Sequence, residues 1–240
     1  MAGHSQFKNI MHRKGAQDSK RAKIFAKLTR EIIVSAKTGI PDPSMNPRLR
    51  SALAAARSAN MPKDNIDRAL KKAIGGEDQA NYMELRYEGY GPDGIAVIVE
   101  ALTDNRNRTA SEVRSIFNKS GGSLGEDGSV AFLFDRVGYF FIENAEFDTI
   151  FEIATENDAD DVVQLDEGCV EVYTTVENFA TVRDALNKSG IDPSTSKLIW
   201  KPMAAETKSE QDFPNILKFI DALENDDDVQ TVYTNYNFES

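Results

Sequence analysis

The stretch YFFIENAEFDTIFEIATENDADDVVQLDEGCVEVYT, residues 139–174, decides the fold. Its apolar residues bunch at 139–143, recur at helical spacing over 147–156, and bunch again over 161–165 and 170–174. Short β-branched and aromatic runs bounded by Asn, Asp and Gly are strands, and the 3.6-residue period between them is a helix. A second helix near 176–188 and a strand near 197–200 follow. The order is β-α-β-β-α-β, the ferredoxin-like arrangement that buries two helices on one face of an antiparallel sheet.

Working outward, a helix at 213–223 and a strand at 229–233 remain after this unit, too few elements to form a domain alone. Upstream lie a strong strand at 95–102, a helix at 109–119 opened by a Thr109/Glu112 capping box, and a strand at 130–134. Joining the two flanks predicts an α+β fold in which an N-terminal three-helix bundle precedes two α/β domains, the third, ferredoxin-like βαββαβ, inserted in the second. The boundaries are 1–76 for the bundle with its flexible N-terminal arm, 77–135 plus 203–240 for the discontinuous domain, and 136–202 for the insertion. One long continuous α/β domain is the alternative.

Charge separates the bundle from the rest. Residues 1–75 hold sixteen Lys and Arg against five acids, leaving twelve against 34 beyond them, so +11 and −22 make up the net −11. A net-acidic chain with so basic a first third has gathered its polyanion-attracting surface into one segment, as a nucleic-acid contact module does. The competing use of such residues is a plain solvated face.

Within that segment, Asp18 or Ser19 can cap a helix running to Lys37, where Gly39 and Pro41 stop it. Lys20, Lys23, Lys27, Arg30 and Lys37 fall within about 100° of arc on this helix, beside an apolar arc of Ile24, Phe25, Leu28 and Ile32. Arg21 points toward the apolar side. Asn46-Pro47 reads as N-cap and first position of a second helix, and Pro62 starts a third that Gly75-Gly76 ends. Lys63, Arg68, Lys71 and Lys72 belong to this third helix.

The single cysteine, Cys169, rules out an intrachain disulfide and a cysteine-based zinc cluster and suits a reducing cytoplasm. No run approaches the roughly 18 apolar residues of a membrane span. The N-terminus is basic but lacks an apolar signal core, and it reads as mature protein.

Ala2-Gly3-His4-Ser5, Asn9-Ile10, the run from His12 to Asp18, Lys20-Arg21 and Lys23-Ile24-Phe25 open a pattern spread over nearly the whole chain. It continues in Met61-Pro62-Lys63-Asp64-Asn65-Ile66, in Tyr87-Glu88-Gly89-Tyr90-Gly91-Pro92, in Leu102-Thr103-Asp104-Asn105-Arg106-Asn107-Arg108-Thr109, in Gly121-Gly122 and in Val232-Tyr233. Together these segments resemble the YebC family, bacterial proteins described as transcriptional regulators with a mitochondrial relative described as a translational activator. The resemblance implies an all-helical first domain, two further α/β domains, one inserted in the other, and binding to DNA or ribosomal RNA. Phe7 stands where many members carry Trp.

The expected nucleic-acid contacts are Lys8, Arg13, Lys14, Lys20, Arg21, Lys23, Lys27, Arg30, Lys63, Arg68, Lys71 and Lys72, with Phe7 as a stacking ring. Arg106 and Arg108, in a polar loop before a helix, form a second candidate contact, against which stands local pairing with nearby acids. Gly121-Gly122-Ser123-Leu124-Gly125 follows a helix instead of preceding one and lacks the Lys-Ser/Thr ending, so it reads as a turn and not a nucleotide loop. Glu156, Asp158, Asp160, Asp161, Asp166 and Glu167 match no EF-hand spacing, and His4 and His12 are too few to build a metal site. No nucleophile and base pair emerges, so neither catalysis nor a cofactor is expected. The function expected is DNA-binding regulation of transcription, with ribosomal RNA binding and assistance to translation of difficult sequences as the alternative. The partner is nucleic acid, duplex DNA or structured rRNA, with the ribosome itself in the second case; no membrane is expected, and a monomer is the favoured state.

Overall fold

The computed structural model describes residues 17–75, 81–165, 168–204 and 213–236, without the side chains of residues 17–20 and 213. Helix α1 (Gln17–Thr38), α2 (Pro47–Ser58) and α3 (Lys63–Ile74) form the first part. Asn46 joins two of them. Its side-chain oxygen accepts the Leu49 N–H at 3.0 Å and caps α2, while its amide donates to the Ser35 carbonyl at 2.7 Å and the Ile40 carbonyl at 2.9 Å. The next residue, Pro47, has no N–H to leave orphaned at the first helical position. Ile32, Ile33, Leu49, Leu53, Met61 and Ala69 make the core between the helices, each large side chain contributing about 2 kcal/mol through burial. α2 and α3 each lie chiefly against α1.

Strand β1 (Met83–Tyr90), β2 (Ala96–Thr103), helix α4 (Arg106–Lys119) and the short β3 (Ser123–Leu124) come next. The chain then passes through β4 (Phe134–Ile142), α5 (Phe147–Glu156), β5 (Asp161–Gln164), β6 (Val170–Thr174), α6 (Phe179–Lys188) and β7 (Thr195–Pro202). It closes with α7 (Phe213–Glu224) and β8 (Val229–Thr234). The described residues are thus mixed α+β, with seven α-helices and two four-stranded sheets.

The first sheet has the order β3-β1-β2-β8, so the last strand of the chain pairs with the second. β1, β2 and β8 pair antiparallel, Tyr87 opposite Val99 and Val99 opposite Val232. Val97, Val99, Val113, Phe117, Phe219 and Val232 bury α4 and α7 on this sheet, with the Phe117 and Phe219 rings edge to face at 5.0 Å. Residues 136–201 form a compact unit of their own. Its sheet order β5-β6-β4-β7 is that of a βαββαβ ferredoxin-like unit, with Phe140, Ile142, Val170 and Val172 packed on Ile150, Val182 and Leu186 of its two helices. The opposite face carries a buried Glu171 whose carboxylate accepts from the Tyr139 hydroxyl at 2.9 Å and the Tyr173 hydroxyl at 3.0 Å.

Local expectations differ in three places. The strand expected at 130–134 is a 3-10 turn at Ala131–Leu133, and the strand begins at Phe134. The buried Glu88 carboxylate takes the Val130 and Ala131 N–H groups at 3.0 and 2.9 Å, which removes them from any ladder. Burial alone would raise the Glu88 carboxyl, but these backbone donors and Arg86 hold it below the usual range. The Thr109/Glu112 capping box does not form, because Asn105 caps α4 four residues earlier by accepting the Arg108 N–H at 3.1 Å. Finally, α6 starts at Phe179 and not at Val176, since Asn178 N–H turns back to the Thr175 hydroxyl at 3.1 Å.

Candidate nucleic-acid interface

α1 presents the basic arc the sequence implies, but Lys23, Lys27 and Arg30 of that arc are occupied by the chain itself, while Lys37 is exposed. Lys23 Nζ donates to the Asn225 carbonyl and Lys27 Nζ to the Glu224 carbonyl, both at 2.7 Å. Arg30 Nη1 lies 2.8 Å from the carbonyl oxygens of Leu102 and Asp227 and 3.0 Å from Asp228 Oδ1. A helix leaves its last carbonyls without partners and carries partial negative charge at that end. α7 ends at Glu224, whose carbonyl Lys27 takes, while Lys23 and Arg30 take the Asn225 and Asp227 carbonyls just beyond it. Burial lowers the Lys27 ammonium despite the opposing pull of Glu224 and Asp226. Arg21 sits over the Phe25 ring at 5.4 Å.

Arg48 is likewise bound within the fold. It grips Glu31 with two hydrogen bonds, at 2.6 and 3.0 Å, and also pairs with Glu84 of β1. The hydrogen bonds to Glu31 lead in raising its guanidinium above the ordinary value. Arg50 donates to the carbonyls of Pro43 and Ser44, both at 2.9 Å.

Exposed cations include Arg21 and Lys37 on α1 and Arg50 on α2, and the largest cluster of them is on α3. Lys63, Arg68, Lys71 and Lys72 are all exposed, as is Arg57 at the end of α2. Arg68 touches Asn65 at 3.0 Å. Asp64 and Asp67 share this helix and lie toward its N-terminal half, where the helix dipole favours anions, so the basic end is the C-terminal one. Lys8, Arg13, Lys14, Phe7, His4, His12, Asp166 and Glu167, together with the Lys20 side chain, lie outside the described residues.

Arg108 and Arg106, which the sequence groups as one contact, have different surroundings. Arg108 donates to Asp228 Oδ2 at 2.7 Å and to Asp104 at 3.0 Å. Asp228 is buried, and it also accepts the hydroxyls of Thr109 at 2.7 Å and Thr103 at 2.9 Å. Burial pushes the Asp228 carboxyl up, but the hydrogen bonds from Arg108, Thr109 and Thr103 outweigh it and hold the group below its usual range. The same bonds raise Arg108. Local pairing therefore accounts for Arg108. Arg106 lies instead on an open cleft of about 390 Å³ between β1, α4 and residues 124–127, shared with Arg86, Tyr87 and Arg114.

Sequence reading missed Asp228. The run Asp226-Asp227-Asp228 was a visible signal, placed just after a helix end and just before a strand. Glu112, Asp226 and Asp228 approach one another closely, and burial followed by Asp226 raises the Glu112 carboxyl. The acids Asp158, Asp160 and Asp161 are exposed, with Lys201 3.8 Å from Asp161. Gly121 has φ +78°, and a side chain at Gly122 would collide with the Tyr90 carbonyl, so the glycine run serves a tight turn. No described helix is long and apolar enough to cross a membrane.

Comparison with known proteins gives this architecture its relatives. Residues 5–76 match the model of the TACO1/YebC protein N-terminal domain, and residues 82–236 match that of the TACO1/YebC second and third domain. A solved structure, that of the conserved hypothetical protein Aq1575 from Aquifex aeolicus, aligns with a TM-score of 0.81 at 42% identity, covering 93% of both chains. With both family models accounting for nearly the whole length, and a relative of that identity sharing the fold, the chain belongs to the TACO1/YebC family.

Proposed function

We propose that this chain is a nucleic-acid-binding regulator of gene expression that grips phosphate backbone through the exposed cations of α3, extended by the N-terminal arm. The observation that carries the reading is the division among the basic residues. Lys23, Lys27, Arg30 and Arg48 are spent inside the fold, whereas Lys63, Arg68, Lys71 and Lys72 project from one helix. Clustered cations on an otherwise acidic body bind polyanions by releasing counterions, with little dependence on base sequence.

Structured ribosomal RNA is the target this geometry favours. In a helix-turn-helix the recognition helix packs on its preceding partner and projects base-reading side chains. Here α2 and α3 both lie on α1, and apart from Ile74 at its end the exposed residues of α3 are Lys, Arg and Asp. Duplex DNA and transcription regulation are the second reading, which the label Transcrip_reg on the second-and-third-domain model supports. Crosslinking in cells, followed by sequencing of both bound RNA and bound DNA, tests the two. Enrichment of ribosomal RNA is the expected result. Discrete promoter peaks would replace it with the DNA reading, and enrichment of neither would reject the proposal.

A further inference from the structure

The cleft beside α4 has the chemistry of a second anion site. Arg106, Ala110 and Arg114 are spaced four residues apart, which sets them in a row on one face of the helix, and all three line the cleft. The small Ala110 leaves room between the two arginines. Tyr87 of β1 also lines the cleft, its ring packed against the core of the sheet and its hydroxyl closed off from water, without a hydrogen-bond partner among the described residues. A buried hydroxyl without an acceptor is rare enough in folded proteins to need a reason. Burial, with Asp228 and Asp226, raises the Tyr87 phenol, while Arg106 and Arg114 act on it in the opposite sense. The phenol stays a donor.

The other charges around the cleft are accounted for in part by the fold. Arg86 pairs with the buried Glu88 at 2.9 Å, and Glu84 pairs with Arg48. Glu126 and Asp127 also line the cleft. Two arginines of α4 and the carboxylates of Glu126 and Asp127 lining one cleft suit a ligand that brings an oxyanion together with its own hydrogen-bond donors. A nucleotide has both, in its phosphate and in the amino and hydroxyl groups of base and sugar.

We infer that Arg106 and Arg114 hold a phosphate of the same nucleic acid that α3 grips, with Glu126 and Asp127 facing the base or sugar. This rests on the function proposed above. It divides the two arginines the sequence puts together: Arg108 braces the fold, and Arg106 works with Arg114 on the next turns.

The test is salt-titrated binding of the full chain to a structured RNA hairpin and to duplex DNA. Arg106→Gln with Arg114→Gln should leave the thermal midpoint in place, weaken binding about tenfold and reduce the slope of log K against log salt by about 1. Neutralising Lys119 and Lys188, an equal change in net charge elsewhere, should leave the slope unaltered. An unchanged slope in the arginine double variant, with α3 variants still losing affinity, overturns this inference and spares the α3 reading. If neither set of variants alters binding, both fall.

Discussion

At Asp228, four donors from three parts of the chain meet a single buried carboxylate. Arg30 arrives from α1, Thr103 from the end of β2, and Arg108 and Thr109 from the first turns of α4. Removing the carboxylate leaves two arginines and two hydroxyls without their shared acceptor. Asp228→Ala should cost about 3 kcal/mol, the range for breaking a buried pair from one side. Arg108→Ala should cost less, because its side chain is 44% exposed and water can replace part of what it loses. Equal thermal midpoints for Asp228→Ala and the parent would contradict this account. The folded carboxyl lies below its unfolded value, so its contribution is complete above about pH 4 and is lost as pH falls through the lower folded value. Acid unfolding followed by circular dichroism should therefore show a flatter acid limb in Asp228→Asn. Thr109 shows why this hub was not legible: its hydroxyl looked like a helix cap, yet Asn105 caps α4 and frees Thr109 for Asp228.

At the scale of elements, α1 is better described as a bolt than as an open binding face. Its period correctly implied a basic arc beside an apolar one, since both follow from the spacing of residues along a helix. What faces the basic arc is set by tertiary contacts between residues about 200 positions apart, such as Lys23 with Asn225, and no local pattern encodes them. Lys23→Ala with Lys27→Ala should loosen α1 against α7. Amide hydrogen exchange in α1 should then rise selectively, while the ferredoxin-like unit at 136–201 exchanges as before. Unchanged protection in α1 would mean that its apolar packing alone fixes it. The βαββαβ order was legible because each strand and helix there keeps its own hydrophobic period, whereas the 130–134 segment was misread because Glu88, some 40 residues away, takes its N–H groups.

Across the whole molecule, the uneven charge along the sequence survives in altered form. Of the cations in the first 75 residues, several bind at the end of α7 or bridge to β1, and four of the exposed ones gather on α3. Composition showed the imbalance, but only the folded contacts separate the two uses. The exposed acids of the ferredoxin-like unit are solvated surface on this account. Asp158→Asn with Asp160→Asn should shift stability by no more than about 0.5 kcal/mol and leave nucleic-acid affinity nearly intact; loss of function in a folded double variant, measured by complementation, would contradict that. The central claim is that α3 is the anchor. Its most direct test is the salt dependence of RNA-hairpin binding by the full chain with Lys63, Arg68, Lys71 and Lys72 changed to Gln. The account predicts a slope shallower by about 3, with affinity at low salt falling at least a hundredfold and folding retained; a folded variant that keeps the parental slope and affinity would contradict it.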